Sequence, residues 1–336
     1  MSLTPKTPIP EGAIRYNTDS NKMEVWIGDK WMIVATSSPN LDGGGRGLSA
    51  GGNDPGQTDT IQYITIPTQG NAIDFGNLTA ARQAIPGGTG SSTRGIIGGG
   101  QEFPATVNKI DFITFSSTSN AQDFGDLSVA RRQPATTGSQ TRGVFSGGEA
   151  PSHVNVIDFV TIAATGNAVD YGDLTTARRI AGAASSPTRA LIMGGFASPA
   201  SLNSIEFLTI STTGNSQDFG ELTVARYSNA GASSKVRALM MGGYATSPGA
   251  AVTTIDYVNI TTRGDAMNFG DLTETNYHPQ VVSDSIRAVR MGGVTPLDTS
   301  MDYINISTEG NAVYFGDLVP TVHKEGAGLS NAHGGL

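Results

Sequence analysis

Residues 94–100 have the sequence Arg-Gly-Ile-Ile-Gly-Gly-Gly, an arginine followed by a short apolar run that ends in glycines. The pattern Arg-x-x-x-x-Gly-Gly occurs six times. Its arginines are spaced 48, 48, 47, 48 and 50 residues apart, at Arg46, Arg94, Arg142, Arg189, Arg237 and Arg287. A spacing this regular indicates a repeated supersecondary unit.

A second marker keeps the same period. The aromatic residue of an Asp-Phe-Gly-Asp-Leu-like motif recurs at intervals of 49, 47, 48, 50 and 46 residues, at Phe75, Phe124, Tyr171, Phe219, Phe269 and Phe315. Two independent markers with one period near 48 predict a repeated four-stranded sheet of the kind that forms one blade of a β-propeller.

The repeat at residues 94–140 favours β-strands. Its first segment, 94–100, suits a buried strand, and 110–115 (Ile-Asp-Phe-Ile-Thr-Phe) is rich in β-branched and aromatic residues. The segment 121–127 (Ala-Gln-Asp-Phe-Gly-Asp-Leu) predicts a third strand, and the small residues of 133–141 would begin the next blade. Apolar residues at helical spacing are absent after Leu41. The fold class is therefore predicted to be all-β.

The ends of the chain suggest how the repeats close. Residues 42–320 hold six repeats, while Gly334-Gly335 repeats the inner-strand glycines a seventh time and Ile14-Arg-Tyr16 lies 47 residues before Ile61-Gln-Tyr63. We therefore predict a seven-bladed β-propeller as a single domain over 1–336. Residues 14–34 would supply the outer strands, and 321–336 the inner strands, of a closing blade without open edges. The alternative is six blades with an N-terminal β-cap.

Composition excludes several classes of function. The net charge is −8 with 21 Lys plus Arg, and no basic run occurs, so we expect no nucleic-acid partner. No apolar stretch is long enough to span a membrane, and we expect no membrane insertion. Cysteine is absent, which excludes disulfides and thiolate chemistry. Residues 1–6 carry no apolar signal segment, so we expect synthesis in a cytoplasm.

Motifs for metal binding and catalysis are weak. His153, His278, His323 and His333 lack the short spacing of zinc ligands, and no phosphate-binding loop is present. The one Gly-x-Ser-x-Gly, residues 47–51, lies in a predicted strand without a following helix, so Ser49 is not expected to be a nucleophile. We expect no metal, no cofactor and no enzymatic activity.

Two more polar residues recur in four of the six repeats. An arginine follows the third strand at Arg82, Arg131, Arg178 and Arg226, and an aspartate precedes the motif aromatic at Asp74, Asp123, Asp170 and Asp218. Both are lost together in the last two copies, where Asn276 with Asn268 and Val322 with Tyr314 replace them. We interpret these residues, with the six arginines of the first motif, as structural groups that bridge neighbouring blades through carboxylates or loop carbonyls.

The loops between the first two marked strands differ freely in sequence and length. Phe103, His153, Phe196 and Tyr244 lie in them and suit stacking on a sugar or packing on a partner protein. Variable loops on a rigid scaffold are a usual place for recognition, so these four are the predicted binding residues. They could equally pack onto their own blade.

The order of inner strand, Gly-Gly, aromatic strand and aromatic-Gly-x-Leu strand resembles the kelch repeat over about residues 42–336. The amino-acid sequence of residues 157–178 is similar to that of repeat-bearing virion structural proteins of tailed phages infecting cyanobacteria and other marine bacteria. Residues 12–17, 21–26 and Trp31 resemble a β segment of phage fibre and tail proteins. These resemblances imply a virion component.

The favoured hypothesis is thus a non-enzymatic phage virion structural protein, a propeller of the tail, a fibre or a head decoration. It would contact other virion proteins or host cell-surface polysaccharide, and a homo-oligomer is left open. The alternatives are a cellular kelch-type interaction module and a propeller glycan hydrolase, which would need paired carboxylates facing one sugar.

Overall fold

In the computed structural model of the chain, residues 9–18, 22–33, 45–53, 55–85, 87–295, 299–319 and 324–336 are described. Within these ranges the secondary structure is entirely β, without helices. The all-β prediction is confirmed. The chain divides into two compact units, Met1–Leu41 and Asp42–Leu336.

The first unit contains a three-stranded antiparallel sheet of β1 (Ile14–Asn17), β2 (Lys22–Ile27) and β3 (Lys30–Ile33). Trp26 and Trp31 are direct cross-strand partners with ring centroids 5.3 Å apart. The guanidinium of Arg15 lies 4.2 Å from the Trp31 centroid and 2.7 Å from the Glu24 carboxylate. Aromatic cross-strand pairs of this kind are a main source of stability in small sheets.

The second unit consists of short strands that follow the repeat. In chain order they are β4 (Arg46–Asn53), β5 (Gln57–Thr65), β6 (Ile73–Asn77), β7 (Gly88–Gly90), β8 (Arg94–Gly98), β9 (Gln101–Glu102), β10 (Ala105–Thr106), β11 (Lys109–Thr114), β12 (Gln122–Asp126), β13 (Ala135–Gly138), β14 (Arg142–Ser146), β15 (Glu149–Ala150), β16 (Ser152–His153), β17 (Val156–Thr161), β18 (Val169–Asp173), β19 (Gly182–Ser185), β20 (Arg189–Met193), β21 (Phe196–Ala197), β22 (Ala200–Ser201), β23 (Ser204–Thr209), β24 (Gln217–Glu221), β25 (Ala230–Ser233), β26 (Arg237–Met241), β27 (Tyr244–Ala245), β28 (Ala250–Ala251), β29 (Thr254–Asn259), β30 (Met267–Asp271), β31 (Gln280–Ser283), β32 (Arg287–Met291), β33 (Ser300–Asn305), β34 (Val313–Asp317) and β35 (Ala327–Ser330).

These strands form antiparallel four-stranded sheets, six of them in the described part of the chain. From the innermost strand outward they are sheet 1 (β35-β4-β5-β6), sheet 2 (β7-β8-β11-β12), sheet 3 (β13-β14-β17-β18), sheet 4 (β19-β20-β23-β24), sheet 5 (β25-β26-β29-β30) and sheet 6 (β31-β32-β33-β34). Small hairpins project between the second and third strands of sheets 2 to 5: β9-β10, β15-β16, β21-β22 and β27-β28.

The innermost strands contact one another in a complete circuit. β7 contacts β13, and the sequence continues through β19, β25, β31 and β35, which in turn contacts β7. The hydrophobic core lies between consecutive sheets. One cluster joins Leu48 and Phe75 of sheet 1 to Ile97 of sheet 2, and another joins Ile64 of sheet 1 to Met291 of sheet 6. This arrangement is compatible with a β-propeller.

Glycine in the aromatic motif allows neighbouring sheets to approach closely. Gly125 lies opposite a bulge in the pairing of β11 with β12 and has a φ of +145°. A Cβ there would lie 2.5 Å from the carbonyl oxygen of Gly166, in the turn of the next sheet. The side chain of Asn167 in that turn accepts a hydrogen bond from the backbone N–H of Asp126 at 3.1 Å. The repeated Gly-Asn turn therefore docks onto the sheet before it.

The closing strand pairs differently from our prediction. Residues 14–34 were expected to complete a sheet with 321–336. Instead β35 is the innermost strand of sheet 1, with Ala327 opposite Ala50 and Leu329 opposite Leu48, while β1–β3 form a sheet of their own. The physical reason is that, among the described residues, no preceding strand of its own repeat lies beside β4, and Ala327–Ser330 cover that edge instead. The likeness of Ile14-Arg-Tyr16 to Ile61-Gln-Tyr63 is only local.

Candidate binding site

The six arginines of the first motif are structural links between sheets. Arg142, at the start of β14 in sheet 3, lies 4.5 Å from the ring centroid of Phe159 in its own sheet. Its Nη1 donates a 2.9 Å hydrogen bond to the carbonyl of Ile210 in sheet 4. The same two contacts are made by Arg46, Arg94, Arg189, Arg237 and Arg287, and the last of these reaches back to the carbonyl of Pro67 in sheet 1.

The second set of arginines is buried and pairs with carboxylates of the next sheet. The guanidinium of Arg82 lies 2.7 Å from Asp111 and that of Arg131 lies 3.1 Å from Asp158. Arg178 pairs likewise with Glu206, and Arg226 with Asp256. Burial lowers the pKa of Arg131, Arg178 and Arg226, and the facing carboxylates oppose that effect.

The predicted aspartate partners are not the observed ones. Asp74, Asp123, Asp170 and Asp218 all lie exposed on the outermost strands. Successive side chains of a strand point to opposite faces, so the residue before the buried aromatic faces away from it. The partners belong instead to the Ile-Asp-Phe-like motif of the third strand of each sheet.

The two junctions that lack the arginine are compensated. Where Asn276 replaces it, Arg290 of β32 supplies the guanidinium: its Nη2 is 2.8 Å from Asp302, and its Nη1 bonds the carbonyls of Gly292 and Ser300. At the junction of Val322, which lies outside the described residues, the carboxylate is replaced by Gln62. The Gln62 side chain accepts a hydrogen bond from the Val319 N–H at 2.9 Å. The first change keeps the buried carboxylate paired and the second replaces both charged residues by neutral ones, so neither leaves a buried charge alone, as a structural role requires.

Two residues after the position of the buried arginine, or three in the last repeat, the chain adopts a left-handed conformation that is unusual for residues other than glycine. We call these residues the neck. Their φ values lie between +53° and +59°, at Ala84, Gln133, Ile180, Ser228, His278 and Glu325. Five of them lie two residues before an innermost strand, and Ala84 lies four residues before β7. Such backbone costs about 1–2 kcal/mol per residue, so its recurrence means that the surrounding structure enforces it.

Backbone hydrogen bonds join the neck residues to one another. The N–H of Gln133 donates to the carbonyl of Ala84 at 2.8 Å, and that of Ile180 donates to Gln133 at 3.2 Å. Ser228 bonds Ile180 at 3.0 Å, and His278 bonds Ser228 at 2.9 Å. The neck is thus one continuous structure at the entrance end of the innermost strands, although its side chains all differ.

Polar side chains occupy four of the six neck positions, and those of Ser228, His278 and Glu325 lie close to one another. Nε2 of His278 lies 3.4 Å from Oγ of Ser228 and 3.6 Å from Oε1 of Glu325. Nη1 of Arg179 donates a 2.7 Å hydrogen bond to Oε1 of Gln133. Because serine and carboxylate both face the same nitrogen of His278, the three do not form a nucleophile–base–carboxylate relay.

The electrostatic environment of the neck is positive. Burial, helped by the charges of Arg179 and Lys324, lowers the pKa of His278 to about 4, so its contact with Glu325 is not an ion pair at neutral pH. Burial raises the pKa of Glu325, against the opposing pull of Lys324, Arg132 and Arg179.

A row of aromatic side chains runs beside the neck. Ring centroids of neighbours are 5.6, 5.2, 5.5, 5.5 and 5.1 Å apart along the order His153, Phe196, Tyr227, Tyr244, Tyr277 and His278. We call these six residues the aromatic row, and the neck and row together the mouth. All six side chains are half-buried. Each therefore keeps part of its surface open to a ligand.

The mouth includes three of the four predicted binding residues. His153, Phe196 and Tyr244 lie in the aromatic row, whereas Phe103 is 75% exposed and makes no ring contact within the described residues. Sequence analysis missed Tyr227, Tyr277, Arg179, His278 and Glu325. Their signal was positional, since they lie one to three residues after the repeated arginine or its replacement.

The other end of the innermost strands is closed by hydroxyl–carbonyl bonds. Ser185 donates to the carbonyl of Gly138 at 2.6 Å, Ser233 to Ser185 at 2.8 Å and Ser283 to Ser233 at 3.1 Å. Ser330 continues the series to Ser283.

Gly138 lacks the hydroxyl that would reach Gly90, and His333 makes that bond instead. Its Nε2 donates to the Gly90 carbonyl at 2.8 Å, while its Nδ1 accepts from the Gly335 N–H at 3.1 Å. Burial lowers the pKa of His333, which suits this neutral form. Between the two ends lies a cavity of about 50 Å³, bounded by small residues such as Thr89 and Gly231 and by His333.

A serine nucleophile, a metal site and a membrane-spanning helix find little support in the described ranges. Ser49 is buried in β4, away from the mouth. No cluster of three or more His, Asp or Glu side chains suited to a metal occurs among the residues described. In the same residues there is no helix with the length and apolar character needed to cross a bilayer.

Comparison with known proteins gave no assignment: no protein-family model matches the chain, and no curated protein matches it.

Proposed function

We propose that residues 42–336 form a six-bladed β-propeller that serves as a non-enzymatic structural component of a phage virion. Each four-stranded sheet would be one blade, and residues 14–33 a small sheet of their own. The closed circuit of innermost strands supports this, and so does the Arg287 contact that returns from sheet 6 to sheet 1. A ring closed by a C-terminal strand leaves no unpaired sheet edge between first and last blades.

The mouth is the observation that carries the binding part of the proposal. We propose that it contacts host cell-surface glycan, while other faces contact neighbouring virion proteins. Half-buried aromatic rings beside side chains that donate and accept hydrogen bonds are the surroundings that sugars prefer in proteins. The framework arginines point elsewhere, into the junctions between sheets, so the side chains of the mouth take no part in the ion pairs that join the repeats.

The virion assignment rests on the resemblance of the repeat sequence and of residues 12–31 to phage structural proteins. Electron microscopy of purified particles labelled with an antibody to this chain tests it. Labels at fixed, symmetric positions on the tail, a fibre or the head are expected. Label confined to the host-cell lysate would instead favour a cellular interaction module.

A glycan hydrolase is the second candidate, because the pKa values of two carboxyl groups near the aromatic row, Glu325 and Glu149, are shifted in opposite directions. The pKa of Glu325 is raised by burial, as suits a general acid. The pKa of Glu149 is lowered by its hydrogen bond to Arg132 and the charge of Arg179, which outweigh the effect of burial. Release of reducing ends from a bound glycan, abolished by Glu325→Gln, would establish this activity. Its absence with binding retained would support a binding protein.

A further inference from the structure

We propose that the mouth binds a carboxylate-bearing sugar unit of an acidic polysaccharide, with the carboxylate at Arg179 and the sugar ring against the tyrosines. This inference rests on the glycan-binding part of the proposed function and specifies its ligand class.

The first step is the charge at the mouth. The whole chain carries −8, yet three cations, Arg132, Arg179 and Lys324, act on Glu325. Arg132 and Arg179 both contact Glu149, at 3.0 and 3.2 Å. Three cations against the two carboxylates Glu149 and Glu325 leave one positive charge in excess. A half-buried site with excess positive charge in an acidic protein favours an anionic ligand.

The second step is the unused capacity of Arg179. Its Nη1 serves Gln133 and Glu149, and no described residue accepts a hydrogen bond from its Nη2, whereas its Nε is buried without a partner. The guanidinium lies 5.5 Å from the Phe196 centroid, which fixes its plane beside the aromatic row. Its side chain is 26% exposed, so it remains reachable. A positioned guanidinium with free N–H groups suits a carboxylate.

The third step is the row of phenols next to Arg179. The hydroxyls of Tyr227, Tyr244 and Tyr277 have no hydrogen-bond partner within the described ranges, although the rings pack against one another. Burial raises the pKa of Tyr227, so its hydroxyl stays protonated and can donate. Hydroxyls held on rigid rings match the hydroxyls of a sugar at little cost in conformational entropy.

The fourth step is the difference between neck positions. His278 is neutral and Ser228 carries a hydroxyl, whereas the equivalent residues Ala84 and Ile180 are apolar. A small asymmetric ligand is favoured by such an arrangement, because hydrogen-bonding groups occupy some neck positions and apolar side chains occupy others. A long nucleic acid is disfavoured, since the excess charge is local and no basic track leads away from it.

The test is calorimetric titration of the full chain with tetrasaccharides of galacturonate, mannuronate and guluronate, each paired with its carboxyl-reduced counterpart. At least one acidic member should bind ten times or more tighter than its reduced counterpart, and the preference should shrink as salt rises. Arg179→Gln should weaken that binding at least tenfold and remove the preference. Tyr244→Ala should weaken binding of the acidic and the carboxyl-reduced tetrasaccharides to the same extent.

Lys235→Ala is the matched control, because it removes an exposed positive charge from the hairpin between β25 and β26 without touching the mouth. Its affinity should equal that of the unaltered chain, and thermal melting should show every variant folded. Equal affinities for acidic and reduced sugars, or an unchanged affinity of the Arg179→Gln variant for the acidic sugar, overturn the inference but leave glycan binding intact. If neither the acidic nor the reduced sugars bind, both this inference and the proposed glycan binding are overturned.

Discussion

The buried-arginine positions and the neck positions lie two or three residues apart in the repeat, yet different properties are kept at each. At the first, the ion pair is kept at five of the six junctions: where Asn276 replaces the arginine, Arg290 restores the guanidinium from another strand. At the second, the backbone conformation is kept while the side chain changes in every copy, from Ala84 to Glu325. The difference teaches that the junction serves the repeat, whereas the neck presents side chains that the repeat does not need.

The strongest way to separate these regions is to remove one junction arginine. Arg131→Ala would leave Asp158 buried without its partner, and breaking such a pair costs about 3–5 kcal/mol in the free energy of unfolding. Denaturant unfolding monitored by tyrosine fluorescence and circular dichroism measures it.

The neighbouring Arg132 is the matched control, since it pairs with Glu149 on a partly exposed surface. Arg132→Ala should cost about 0–1 kcal/mol of stability. It should nevertheless weaken binding of acidic sugar, which Arg131→Ala should not do for the folded fraction. Equal losses of stability in both variants would show that the division between junction and mouth is wrong.

The neck should also control stability at acid pH through His278. Its pKa is about 4 when folded and 6.5 when unfolded, so the unfolded chain binds more protons between these values. Stability from this group is therefore fully present above pH 6.5 and falls as pH drops toward 4. At about 1.4 kcal/mol per pKa unit the loss is about 3 kcal/mol.

Glu325 works in the other direction, because its raised folded pKa makes stability rise as pH falls through that value. His278→Gln should flatten the decline between pH 6.5 and 4 in urea-unfolding series. His153→Gln is the control, since His153 is less buried and its pKa is less affected. A decline that persists unchanged in His278→Gln would argue against a buried neutral histidine at the neck.

The smallest effect concerns backbone strain. Ala84→Gly and Ala135→Gly both remove a buried methyl, with the parent residues 3% and 4% exposed, but only Ala84 has a left-handed backbone, with a φ of +57°. Relief of that conformation should make Ala84→Gly less destabilising by about 1–2 kcal/mol. Differential scanning calorimetry of the two variants checks the difference. Identical changes in unfolding free energy would mean that the neck is not strained.

Much of the sheet architecture could be predicted from the sequence. The spacing of Arg94 and Arg142, with the Phe124 motif, defines the repeat, and the glycines beside them mark turns and close approaches. The closing strand could not be predicted correctly, because Gly334-Gly335 has the residues of a strand end but lies beyond β35. A short segment of small residues does not specify which strand it pairs with. The partner of β35 is set instead by the open edge of β4.

The binding site was predicted only in part. His153, Phe196 and Tyr244 were recognisable as aromatic groups in variable loops. His278, Glu325 and Arg179 were not, because their importance comes from a backbone conformation and from charges brought together by different repeats. The carboxylate partners were misassigned for a related reason: Asp74 and Asp111 occur with similar regularity, and only the strand faces separate the exposed one from the buried one.

The proposed closure of the six sheets into a ring depends on the pairing of β35 with β4. The chain has no cysteine, so a single designed pair can report this contact. Ala50 and Ala327 are direct cross-strand partners and both fully buried. Directly opposed residues have Cβ atoms close enough for a disulfide. We predict that Ala50→Cys/Ala327→Cys oxidises to an intramolecular disulfide, seen by peptide mass spectrometry, and melts no lower than the reduced form. Absence of that disulfide in the folded monomer, or cross-links only between molecules, would contradict the account.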